Sequence, residues 1–248
     1  MTTPAVLLVA DISGFTRFMR LHALATSHAR QIIVRLLEAL VHAAQPPLTV
    51  AELEGDAVFF YAPAPDGDLD RVAAEVKTQV LRLFRAFEQE AAALAAAPLC
   101  VCEACLSVRD LKLKQVAHAG EVAVEKVGGR FEKLFGIDVI VVHRMLKNSV
   151  PSPEYVMLTE PAFAAGAGFH ACEPERRTEV FEGIGPTETL VVYRPALDGP
   201  LAALTDVPAP PTLPATLGWK LKMHARTIAE LLRLRRKPRP AAPALVTA

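Results

Sequence analysis

The apolar run Val6-Leu-Leu-Val-Ala10 stops abruptly at Asp11, and this junction constrains the fold more than any other stretch. An uninterrupted apolar run without alternation fits a strand buried on both faces. Such a strand needs neighbours on each side and layers above and below. A carboxylate at its end is costly to place unless something compensates it. Ser13-Gly14-Phe15-Thr16 follows, a sequence that turns tightly into a helix and leaves backbone N–H groups near the carboxylate. An acid beside such donors suits a metal ion that carries phosphates, and an ordinary helix N-cap is the competing explanation.

The chain has 248 residues, 52% of them hydrophobic, enough for one large domain with an appendage. Its 27 basic and 27 acidic residues cancel. From Thr216 onward, however, eight Lys/Arg face one acid, Glu230, so residues 1–215 carry the opposite excess. An acidic body with a basic tail predicts a tail that contacts the body, a partner or an anionic membrane surface. Nucleic acid is disfavoured, because no recognised binding module is present. There is no run of about 18 apolar residues to span a membrane. The N-terminus lacks a basic signal region, and four cysteines, three of them clustered, do not form a secreted disulfide framework. These features predict a cytoplasmic protein.

Periodicity predicts a helix within Arg17–Gln45, capped by Ser27 and closed by Pro46-Pro47. Strands over Leu48–Glu54 and Ala57–Tyr61 flank Gly55-Asp56, a hairpin turn signal. A long helix from Arg71 to about Ala97, capped by Asp70, comes next. Leu111–His118 alternates like a half-exposed strand, and Gly120 turns it towards a second strand over Glu121–Val127. A helix from Phe135 or Gly136 to Asn148, a strand at Tyr155–Thr159 and a terminal hairpin around Gly185-Pro186 complete the body. Strands interleaved with helices and containing hairpins predict an α+β fold, a ferredoxin-like mixed or antiparallel sheet with helices on one face. The predicted domains are 1–195, a proline-rich linker at 196–215, and a basic amphipathic helix and tail at 216–248. In that helix Leu217, Leu221, Ala225, Ile228, Leu231 and Leu232 share one face, with Lys220, Lys222 and Arg226 around it.

Asp56 strengthens the case for Asp11. If the hairpin lies beside the first strand, both carboxylates converge at one sheet edge, and paired carboxylates bridging divalent ions and a triphosphate belong to two-metal phosphate chemistry. Asp11-Ile-Ser-Gly-Phe-Thr16, Gly55-Asp56, Leu134-Phe-Gly136 with Arg144-Met145, and Glu179-Val-Phe-Glu-Gly-Ile-Gly-Pro-Thr-Glu-Thr189 together resemble the class III adenylate/guanylate cyclase catalytic domain. The resemblance spans roughly residues 5–194. His118-x-Gly120, the cysteine cluster and Lys133-Leu-Phe-Gly-Ile-Asp138 are similar, more narrowly, to a bacterial cyclase-like subgroup of unknown function.

The resemblance implies a head-to-tail homodimer, or pairing with a related cyclase-like domain, with ATP or GTP bound between the two domains. Asp11, Asp56 and the Ile12 carbonyl would hold Mg²⁺ or Mn²⁺. The N–H groups of Gly14, Phe15 and Thr16 would meet phosphates, and Arg144 is the retained catalytic-position arginine. In a working cyclase the nucleotide's 3′-hydroxyl attacks its own α-phosphorus and pyrophosphate leaves.

Several positions depart from that pattern. Glu52 is of the guanine-recognising type, but Lys133 fits neither purine, and the two could pair and block the base pocket. The transition-state asparagine position is Ile140, with Asn148 as a substitute donor two turns away. The phosphate lysines of the terminal hairpin fall at Glu182 and Ile184. Removal of one preorganised donor commonly costs about 10²–10³ in rate, so the expectation is a catalytically degenerate domain. An active cyclase with an atypical pocket is the alternative, and a zinc-stabilised interaction module is a third reading. For the last, Cys100, Cys102, Cys105 and His118 offer a Cys₃His set for Zn²⁺, against a reading as buried free thiols. His22, His28, His42 and His143 lack partner spacing and read as surface or packing residues.

Overall fold

The computed structural model describes residues 2–21, 26–97, 99–206 and 209–236. In chain order the first half comprises β1 (Thr3–Ser13), α1 (Phe15–Leu21), α2 (Thr26–Ala43), β2 (Thr49–Glu54), β3 (Ala57–Pro63), α3 (Leu69–Ala96) and α4 (Glu103–Leu106). The second half comprises β4 (Lys112–Val127), β5 (Phe131–Phe135), α5 (Ile137–Met145), β6 (Tyr155–Thr159), α6 (Glu160–Ala162), β7 (Glu175–Phe181), β8 (Gly185–Tyr193), α7 (Asp198–Ala203) and α8 (Leu213–Arg236). The sheet order is β2-β3-β1-β4-β6-β8-β7, with β5 paired to the end of β4. Among the described residues only the β4–β6 pairing is parallel.

The uninterrupted apolar run of β1 is explained by a core on each side of the sheet. Val6, Leu8, Ala10 and Ile12 belong to one cluster with Leu36, Leu40, Val76 and Phe84 of α2 and α3. Ala5, Leu7 and Val9 alternate into a second cluster with Phe59, Val116, Val142 and Met145. Helices therefore cover both faces, not one: α2 and α3 on the first, α5 on the second. Among the described residues no helix is long and apolar enough to cross a membrane.

Three expected boundaries move. Asp68, not Asp70, caps α3, because the helix starts at Leu69 and the Asp68 carboxylate accepts from the Arg71 N–H at 3.0 Å. β4 runs straight through Gly120, and its turn comes at Gly128-Gly129, which leads into β5. Gly120 serves a different purpose: the Asp138 carboxyl occupies the space that a side chain would need. The first part of the expected linker is also folded. Arg194–Leu197 forms a 3-10 turn and α7 follows, with Leu197 and Leu201 buried in the core.

Helix α8 docks through a face that periodicity did not select. Thr216, Lys220 and Met223 are buried, whereas Leu221, Ile228, Leu231 and Leu232 lie outside, each more than half exposed. Polar partners on the body decide this orientation. Lys220 Nζ donates to the Ala97 carbonyl at 2.6 Å, and Ser27 meets Thr227 and Glu230, each at 2.9 Å. Arg30 also pairs with Glu230, so the tail's single acid is one of its anchors. The end of the predicted tail, 237–248, lies outside the described residues.

Candidate functional site

The two acids meet as the strand-end argument requires. Asp11 sits in register between Ala57 of β3 and Lys114 of β4. The Gly55-Asp56 turn is fastened to the same edge, since the Ile12 N–H donates to the Asp56 carbonyl at 3.1 Å. The charge of Asp11 reaches the Asp56 carboxyl across this edge. With the Ile12 carbonyl the two acids are hard oxygen donors, the kind that Mg²⁺ and Mn²⁺ take.

A third group, absent from the residues expected at this site, joins the two acids. Lys114 Nζ lies 2.9 Å from Asp11 Oδ2, and both side chains are largely buried. Its ammonium supplies the compensation that a metal ion would otherwise supply. The acids fit a divalent cation on condition that Lys114 withdraws. Nearby, Gly14 turns with φ +90° and Phe18 makes the first helical bond back to the Gly14 carbonyl at 2.9 Å. The Phe15 and Thr16 N–H groups precede that bond, as at any helix start. Ser13, Gly14, Arg17, Ser107 and Asp110 line an adjoining cavity of about 250 Å³.

Burial, and then the charge of Asp11, push the Asp56 carboxyl up to about 6 from an ordinary 3.8. The folded protein therefore holds this proton more tightly than the unfolded chain does. Folding is penalised progressively as pH rises from about 4 to 6, and fully above that range. Asp56→Asn removes the penalty. A shift of this size corresponds to about 3 kcal/mol at most, and solvent screening of the half-exposed group reduces it to about 1 kcal/mol. Urea denaturation in EDTA is expected to show the variant more stable than wild type at pH 7.5 and equal to it near pH 4. The same gain at both pH values would dismiss the carboxyl's charge as the cause.

The positions expected to read a base and stabilise a transition state are tied to one another. Lys133 pairs with Glu52, which places both base-recognition candidates in one ion pair. Arg144 Nη1 lies 2.9 Å from Glu182, so the arginine is partnered by the acid that stands at a phosphate-lysine position. Ile140 is half exposed on α5 and offers no donor. Asn148 is not available as its substitute: its side-chain amide bonds the Met145 carbonyl at 2.6 Å and the Tyr155 hydroxyl at 2.7 Å.

The cysteine cluster assembles with a different histidine. His118 is occupied elsewhere: its ring nitrogens meet Thr159 Oγ1 and Asp138 Oδ1, each at 2.8 Å. His28 of α2 takes its place. His28 Nδ1 lies 3.4 Å from Cys102 Sγ and 3.6 Å from Cys100 Sγ. With Cys105, the four ligand atoms lie within 4.8 Å of one another. Burial, then His224 and Lys220, hold His28 below its usual range, which favours the neutral ring. Cys172 stands apart, its thiol donating to the Ala196 carbonyl.

Comparison with known proteins agrees with this architecture. A family model described as "Protein of unknown function (DUF2652)" matches residues 33–155. The uncharacterized protein Rv2561/Rv2562 of Mycobacterium tuberculosis (strain ATCC 25618 / H37Rv) is 36% identical over 170 residues, covering 68% of this chain and 77% of the relative. Among solved structures, the guanylyl cyclase Cya2 superposes with a TM-score of 0.55 at 18% identity, covering 77% of this chain and 92% of that one. A class III adenylyl cyclase-like ATP-binding protein from Pseudomonas aeruginosa gives 0.53 at 20% identity, covering 66% and 35%. The chain belongs to the same family as the uncharacterized mycobacterial protein, and it is built on the fold of the class III adenylyl and guanylyl cyclase domains.

Proposed function

We propose that this chain is a cyclase homology domain that binds a divalent cation and a purine nucleotide as a cytoplasmic regulatory or signalling module, and that does not turn the nucleotide over efficiently. One observation carries the reading. The charged groups facing the expected nucleotide are neutralised within the chain, as the pairs Lys114–Asp11, Lys133–Glu52 and Arg144–Glu182. A cyclase site needs such groups directed at developing charge on the substrate.

Asp11, Asp56 and the Ile12 carbonyl would hold Mg²⁺ or Mn²⁺, which when bound would neutralise phosphate charge. Gly14, Phe15 and Thr16 would offer backbone N–H groups to the phosphates, and Arg17 lines the same cavity. The class III adenylyl cyclase-like ATP-binding protein among the structural relatives supports nucleotide binding on this fold. Exposed Phe135, Ile137 and Ile140, close together where β5 meets α5, favour a second copy or a related domain packing there.

The alternative, an active nucleotidyl cyclase, draws on the Arg144–Glu182 pair. Glu182 is 84% exposed, and a surface pair is worth only about 0–1 kcal/mol, so a bound triphosphate could release Arg144 at little cost. Calorimetry with Mn²⁺ and ATP or GTP tests binding. Wild type is expected to give saturable heat, and Asp56→Ala is expected to bind the nucleotide at least about tenfold more weakly. Absence of nucleotide-dependent heat in wild type would end the binding reading. Prolonged incubation with Mn²⁺ is expected to yield no cyclic nucleotide. A cyclic product that disappears in Asp56→Ala would establish the active alternative.

A further inference from the structure

We propose that His28 Nδ1 and the Sγ atoms of Cys100, Cys102 and Cys105 bind one zinc ion, and that this ion anchors α8 to the domain. Two edges of the cluster have the length that zinc coordination requires. With Zn–N near 2.0–2.1 Å and Zn–S near 2.3 Å, a nitrogen–sulfur edge spans about 3.6 Å. The two measured edges are 3.4 and 3.6 Å, and all four ligand atoms fit within 4.8 Å. Three thiols and an imidazole are soft and borderline donors, which select zinc over the hard ions suited to Asp11 and Asp56. All four cysteines are free thiols.

The surroundings point to the same ion independently. Lys220 is 2% exposed, yet among the described residues its ammonium makes one hydrogen bond, to the Ala97 carbonyl, and no ion pair with a carboxylate. A buried ammonium needs a nearby negative charge. Three thiolates, a neutral imidazole and Zn²⁺ leave one net negative charge, next to the chain segment that Lys220 already contacts. His28 also meets the His224 ring of α8 edge-on, with centroids 4.8 Å apart. The ion would thus join the start of α2 and the segment leading into α4, and its charge would hold the polar face of α8. This role is separate from the nucleotide reading and stands or falls without it.

Metal analysis of the full chain, purified under reducing conditions without chelator, is expected to find about one zinc per chain. Asp11→Ala should retain it. Cys102→Ser and His28→Ala should lose most of it, while His28→Cys, which restores a fourth ligand, should keep it. Because cysteine variants can misfold, Co²⁺ substitution of the wild type provides a second reading: thiolate charge transfer and tetrahedral d–d bands are expected. A zinc-free wild type without those bands overturns the site, as does a disulfide within the cluster. Hydrogen exchange over residues 213–230 should accelerate when the zinc is removed by a chelator. Unchanged exchange with the zinc gone would overturn the anchoring role.

Discussion

Lys114→Ala is expected to weaken the metal-free fold and strengthen the cation site in one step. Lys114 is the cation that currently balances Asp11, at 2.9 Å in a largely buried setting. Its removal leaves Asp11 and Asp56 facing each other uncompensated, at a cost of about 1–3 kcal/mol in EDTA, below that of breaking a fully buried pair. An incoming Mn²⁺, by contrast, no longer has to displace a like charge. At an effective dielectric between those of protein and water, that repulsion is worth about 10–100-fold in affinity. The variant should therefore unfold at lower urea than wild type in EDTA and gain more stability from Mn²⁺, because ligand binding to the folded state stabilises by mass action. Lys114→Met keeps the apolar stem and should behave alike, which separates charge from packing. Equal Mn²⁺ affinity in wild type and both variants would show that Lys114 does not compete for the site.

This arrangement also shows how far the sequence could be read. The two acids were legible because each is set by local structure: Asp11 by the end of an apolar strand, Asp56 by a hairpin tip two strands long. Lys114 was not, because its approach to Asp11 depends on β1–β4 register across about a hundred residues, and β alternation marks only a face, not a partner. The histidine of the cysteine cluster failed for the same reason. His118 is nearer in sequence, but it is spent on Asp138 and Thr159, while His28 arrives through the packing of α2. In α8 the apolar periodicity was real, yet the body offered the Ala97 carbonyl, Ser27 and Arg30. Satisfying buried polar groups outweighed burying the leucines.

In the sequence alone, the His118-x-Gly120 and Lys133-Leu-Phe-Gly-Ile-Asp138 motifs carry no reason for their residues. The structure supplies one, and with it the largest expected loss of stability. β4 and the start of α5 lock together through Asp138, whose carboxylate accepts from the Glu121 N–H at 2.7 Å and meets His118 Nε2 at 2.8 Å. Asp138 reaches these groups only because Gly120 has no side chain: an added Cβ would lie 2.2 Å from Asp138 Cγ. Gly136, with φ +152°, turns the chain into α5 against the Glu121 carbonyl, at a distance that likewise excludes a side chain. Gly120→Ala should expel the carboxylate, leaving the buried His118 short of a partner and the Glu121 N–H unmet. These losses and the accompanying strain add up to about 3–4 kcal/mol. Urea denaturation measures the loss, and a double-mutant cycle assigns it. Asp138→Ala alone forfeits the same hydrogen bonds but vacates the space, so Gly120→Ala combined with Asp138→Ala should cost little more than Asp138→Ala alone. Additive penalties would place the Gly120 requirement in the backbone rather than in contact with Asp138.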